Sequence, residues 1–117
     1  MTVRRSPESL SHPDLEDTGV LGRIADRLRE RLGATRVIVY GSVARGEATI
    51  HSDIDLLVVA PTEDRTYRRL ADARGAIRDL SFGLPISPLV LTPEEVRDSQ
   101  AAGDAFIDEV LTEGVEL

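Results

Sequence analysis

Two short apolar runs with a small-residue turn between them constrain this chain more than any other feature. The first, Arg36-Val37-Ile38-Val39-Tyr40, is β-branched and reads as a buried strand. It stops at Gly41-Ser42, after which Val43 to Glu47 reads as a short helical turn leading into a loop. The second run, Ile54 to Ala60, is a strand closed by Pro61, with Asp53 at its mouth and Asp55 one step inside.

Helical periodicity surrounds these strands. Leu21, Ile24, Ala25, Leu28 and Leu32 recur at three- and four-residue spacing, with Thr18 placed to cap the helix and Gly33 to end it. Arg65 to Leu80 predicts a second amphipathic helix, with Leu70, Ala73, Ile77 and Leu80 on one face. A third strand, Ile86 to Leu91, contains Pro88, which argues for an edge position or a bulge. Thr92-Pro93-Glu94-Glu95 is a helix start, with a cap, Pro at the first helical position and Glu where a capping box wants it. A last helix spans about Asp104 to Glu113 and presents Phe106, Ile107, Val110 and Leu111, which serve the core or else a dimer or partner contact. Gly114 ends it. The order predicts an α+β domain, a small mixed twisted sheet with helices packed on one side.

With 117 residues the chain suffices for one domain. Residues 1–16 hold two Pro, several Ser and no periodicity, so they read as a flexible N-terminal arm, with His12 a solvated loop residue. Residues 17–117 then form the domain. The chain has no Cys, so any metal must be held by oxygen or by its two His. No stretch is long and apolar enough for a membrane span and the N-terminus lacks an apolar signal core, so a cytoplasmic protein is expected. The net charge is −7, and all fourteen basic residues are Arg. So acidic a surface repels a nucleic-acid backbone unless Arg is gathered on one face, whereas a divalent cation can bridge small anions to carboxylates.

Asp53 and Asp55 lie two apart on a strand, so their side chains leave from one face. Side by side they repel unless a cation lies between them, and Mg²⁺, which binds one or two carboxylates plus substrate phosphates, suits the pair. Asp-x-Asp alone is a common surface pattern. The upstream turn adds to it: Gly41 allows close backbone approach, Ser42 supplies a hydroxyl, and the helical segment behind them offers backbone N–H groups to an anion. A phosphate cradle beside a metal-binding pair is what nucleotidyl transfer requires.

Gly41-Ser42, ten residues, then Asp53-Ile54-Asp55 resembles the Gly-Ser-x10-Asp-x-Asp signature of the polymerase-beta-type nucleotidyltransferases, specifically the minimal (MNT) branch. The flanking segments Val37 to Glu47 and Ser52 to Val59 are similar to the family's strand-and-turn and metal strand, and the likeness extends over roughly Leu21 to Thr92. The resemblance implies a nucleotidyltransferase fold in which Asp53 and Asp55 ligate Mg²⁺, one ion or two, and Gly41 and Ser42 hold the triphosphate of ATP. Arg45 occupies a commonly basic position, for phosphate or partner binding or else a surface salt bridge. Ser52 fixes the loop through local backbone, and Glu47 and His51 are solvated.

Active members of this family usually carry a third carboxylate on the third strand, where this chain has Ser87. A hydroxyl cannot act as a carboxylate base. Two functions therefore stand side by side. One is a Mg²⁺-dependent transferase moving AMP from ATP to a protein hydroxyl, as the resemblance to antitoxins paired with HEPN-type toxins implies. The other is a catalytically impaired module that binds nucleotide or neutralises its partner by contact. Modification of a small molecule ranks behind both, and a homo-oligomer is compatible with either.

Overall fold

The structure, a computed structural model, describes residues 10–14 and 19–117. Thr18, the expected helix cap, and the expected boundary between arm and domain lie outside the described residues. The first helix, α1 (Gly19–Leu32), buries Leu21, Ile24, Ala25 and Leu28, which is the face its periodicity predicts. Gly33 follows in a left-handed conformation and donates to Arg29 O. Next come β1 (Arg36–Tyr40), a single helical turn α2 (Ser42–Arg45) and β2 (Ile54–Val59). Helix α3 (Thr66–Ile77) leads to β3 (Ile86–Leu91), and α4 (Pro93–Ala101), α5 (Ala105–Glu113) and β4 (Val115–Glu116) complete the chain. Helix α3 ends three residues short of Leu80, where the N–H groups of Leu80 and Ser81 both turn back onto Ile77 O.

The four strands form one mixed sheet in the order β3-β2-β1-β4. β1 is antiparallel to both β2 and β4, while β2 and β3 are parallel. Pro88 lies on the edge strand β3, where its missing N–H removes no ladder bond from a central strand. Alternation divides the apolar side chains between two cores. Val37, Val39, Leu56, Val58 and Val90 pack with α1 and α3 on one face. Ile38, Leu57 and Val59 pack with Val96 of α4 and Ile107, Val110 and Leu111 of α5 on the other. Helices thus cover both faces, not one. A strand as apolar on both sides as Leu56-Leu57-Val58-Val59 demands this, because each face needs its own cover.

Two local devices hold the second core in place. Thr92 Oγ1 accepts from Glu95 N–H at 3.1 Å, and the Glu95 carboxylate accepts from Thr92 N–H at 2.8 Å, closing the expected capping box. Arg69 of α3 also reaches Glu95, at 2.6 Å, so the box ties α4 to the opposite helix layer. Replacing Thr92 by Ala should cost about 1 kcal/mol, lowering the unfolding midpoint by roughly 4 °C in a thermal melt. At the other end of the layer, Gly114 passes so close to β1 that a Cβ there would stand 2.5 Å from the Ile38 side chain and 2.4 Å from Val110 O. That approach lets the chain leave α5 and add β4 beside β1.

Candidate active site

The sheet's alternation decides what gathers at its open end. Tyr40 pairs with Asp55 across the β1–β2 ladder, and Asp55 pairs with Ser87 across β2–β3. Tyr40, Asp55 and Ser87 therefore form one row on the face covered by α5, and Asp53, one residue before the strand begins, is close enough for its charge to act on Asp55. Asp53 is exposed, Asp55 and Ser87 are half-buried, and so is Tyr40. The Tyr40 ring meets Phe106 of α5 edge-on, with centroids 5.4 Å apart. Sequence reasoning missed Tyr40 as a neighbour of the carboxylates. The signal was the strand's alternation, which puts the last residue of β1 on the same side as Ile38.

This row is electrostatically strained. Burial, and then the charge of Asp53, push the Asp55 carboxyl above its ordinary range. Burial and the Asp55 charge push the Tyr40 hydroxyl up to about 12, so it stays a neutral phenol. A cation between the carboxylates would relieve their repulsion, and the oxygen-only donor set suits a hard divalent ion that takes further ligands from phosphate. Among the described residues no cluster of three or more His, Cys, Asp or Glu side chains is placed to hold a metal by itself.

The turn before α2 completes the arrangement. Gly41 has φ 75° and ψ −151°, a combination that side chains disfavour, and a Cβ there would lie 2.9 Å from Asp55 Oδ2. Bare backbone is thereby laid against the carboxylate. Ser42 starts α2, a single turn closed at its far end by Gly46 N–H on Ser42 O and Val43 O. Arg45, by contrast, points its guanidinium at carboxylates: Glu47 at 3.1 Å, Glu113 at 3.3 Å and Glu109 at 4.0 Å. These contacts match the salt-bridge alternative for Arg45 and clamp α2 to α5. Glu47, expected to be free in solvent, is one of its partners.

The loop between turn and carboxylates is internally braced. Ser52 Oγ accepts from Thr49 N–H at 2.9 Å and Ser52 N–H donates to Thr49 O, as expected of a loop-fixing serine. His12 differs from its expectation. It is 5% exposed, because Leu10 enters the core beside it and carries this segment onto the domain. A separate cleft of about 460 Å³, lined in part by Arg31, Pro61, Arg69 and Asp72, opens at the far end of the sheet, away from Asp53 and Asp55.

A nucleotidyltransferase domain model matches residues 21–115, which takes in both strands, the Gly-Ser turn and the two carboxylates. The chain belongs to the nucleotidyltransferase domain family. It is also 29% identical over 85 residues to a protein of Methanocaldococcus jannaschii described as a "putative protein adenylyltransferase". That alignment covers 66% of this chain and 56% of the relative, so the chain spans little more than half of the protein it matches. No solved structure matches. The mixed sheet of the nucleotidyltransferase fold is thus reached from both the sequence and the structure. No helix among the described residues is long and apolar enough to cross a membrane.

Proposed function

We propose that this chain transfers AMP from ATP to a hydroxyl of a protein, in the cytoplasm, and that it does so as the antitoxin of a HEPN-type toxin. The observation that carries the reading is the close approach of Gly41 to Asp55, which brings the Gly-Ser turn against one of the two carboxylates and so supports a phosphate-binding role for the turn. The relative's description as an adenylyltransferase acting on protein favours AMP and a protein acceptor. The acidic surface favours a protein over a nucleic acid.

In this reading Asp53 and Asp55 would hold Mg²⁺, as one ion or a pair, and the metal would supply neutralising charge for the triphosphate and the leaving pyrophosphate. Gly41 and Ser42 hold phosphate oxygens through backbone N–H groups and the serine hydroxyl. The acceptor oxygen would bond to the α-phosphorus as the α-phosphorus–oxygen bond to the β-phosphate breaks, pyrophosphate leaving with that electron pair and the hydroxyl proton passing to solvent. Tyr40, in register with Asp55, is held against Phe106 of α5 on that side of the sheet. Arg45 stands at the rim, where a triphosphate competes with Glu47 and Glu113 for its guanidinium.

Ser87 supports a second reading. It stands in register with Asp55, where a carboxylate would complete the set, so the row has two acids rather than three. On that reading the chain binds nucleotide and restrains its partner by contact alone. Incubating the pure protein with labelled ATP, Mg²⁺ and the product of the adjoining gene separates the two. Label on the folded partner, lost in Asp53→Ala/Asp55→Ala, is the expected result. Neutralisation of the partner that survives the double change, with no label transferred, replaces the transfer reading with the contact one.

A further inference from the structure

Residues 10–12 touch both halves of the site. Leu10 is buried in the core on the α1–α3 face. Ser11 N–H donates to Val43 O at 3.2 Å, in the turn that begins with Ser42. His12 Nε2 lies 2.7 Å from Ser52 O, the carbonyl immediately before Asp53. The other ring nitrogen, Nδ1, accepts from Asp14 N–H at 2.9 Å, which fixes the tautomer: the proton is on Nε2 and is donated to Ser52 O. Three consecutive residues therefore bridge the phosphate turn and the loop that delivers the carboxylates, two segments whose bonded residues are nine apart in the chain.

We infer that residues 10–12 form a clip in which His12 is a positioning residue for Asp53. Ser52 is already tied on its amide and hydroxyl sides to Thr49. His12 takes the remaining backbone acceptor of that residue, so the peptide carrying Asp53 is held by the clip as well as by its own loop. The ring suits the place because it is buried and has a partner at both nitrogens. Outer partners that orient metal ligands typically change metal affinity about 10–100-fold when removed. The inference rests on the reading of Asp53 and Asp55 as metal ligands for its effect on binding, but not for its effect on the loop.

The test uses two readouts on the full chain, hydrogen exchange of amides 49–55 without ligand, and calorimetric titration with ATP and Mg²⁺. His12→Ala should speed exchange through the loop and weaken Mg²⁺·ATP binding about 10–100-fold. His12→Gln, whose side-chain amide can donate to Ser52 O, should restore both toward wild type and serves where the alanine variant folds poorly. His51→Ala, at the exposed histidine of the same loop, should change neither. Unchanged loop exchange in His12→Ala overturns the clip. Faster exchange with unchanged Mg²⁺·ATP affinity overturns the positioning role. If the wild type binds no Mg²⁺·ATP while loop exchange still responds to His12, the metal-site reading fails and the clip stands.

Discussion

Replacing Gly41 by Ala is expected to abolish Mg²⁺-dependent ATP binding in a protein that still folds. Two costs arise at one atom. The backbone at φ 75° and ψ −151° lies in a region almost reserved for glycine, where another residue costs of order 1–3 kcal/mol. Against a typical domain stability of about 5–15 kcal/mol, that weakens the fold without removing it. The added methyl also lies 2.9 Å from Asp55 Oδ2, inside van der Waals contact. Relief requires the carboxylate to swing away or the turn to back off. Either movement opens the gap between the turn and the carboxylate, so on the proposed reading of the site the functional loss should far exceed the thermal one. Gly33→Ala is the control: it imposes a left-handed alanine at φ 69°, with nothing within 4 Å of the new methyl. Its melting midpoint should fall while ATP titration with Mg²⁺ stays as in wild type. Unchanged affinity in Gly41→Ala would detach the turn from the site.

The candidate residues were legible in sequence because their pattern is local. Gly41-Ser42 follows the end of β1 and Asp53-x-Asp55 straddles the start of β2, so the two segments are found from the strand pattern alone. Ser87 was singled out from the sequence too, and the parallel register sets it beside Asp55. The remainder depends on which strands become neighbours. Tyr40 joins the carboxylates only because β1 pairs antiparallel with β2 at that register, and one apolar run does not announce its partner. His12 sits in a stretch with Pro and Ser and no periodicity, and its burial comes from long-range bonds to Val43 and Ser52. The second helix layer was underread for a similar reason. Alternating apolar residues on both sides of β1 and β2 demand two covers, yet α4 carries a single buried residue, Val96, and gives a weak periodic signal. Strand β4 has two residues, below the length at which a period can be seen.

Asp55→Asn is expected to stabilise the free protein and destroy its capacity to be stabilised by ligand. The Asp55 carboxyl titrates above its ordinary value, first through burial and then through Asp53, so the folded state binds its proton more tightly than the unfolded chain does. A raised carboxyl pKa means that ionised Asp55 subtracts from stability above its folded-state value. The subtraction lifts as pH falls through that value toward the unfolded one. Asparagine removes the charge at nearly constant shape, so the variant should melt above wild type at neutral pH, and the difference should close on acidification. Glu95 works in the opposite sense: the Thr92 N–H and Arg69 hold its carboxyl below the usual range, so its contribution is present at neutral pH and lost in acid. Comparing Asp55→Asn with wild type cancels that background. Addition of Mg²⁺ and ATP should then invert the order. Wild type at a hundredfold excess over Kd gains about 2.7 kcal/mol, whereas loss of a direct ligand should weaken binding by at least about 100-fold, the upper end for an outer partner. A variant that melts higher alone and lower in the presence of Mg²⁺·ATP identifies Asp55 as a residue whose strain is kept for its cation. A variant that melts below wild type at neutral pH without ligand, or gains as much from Mg²⁺·ATP, removes that role from Asp55.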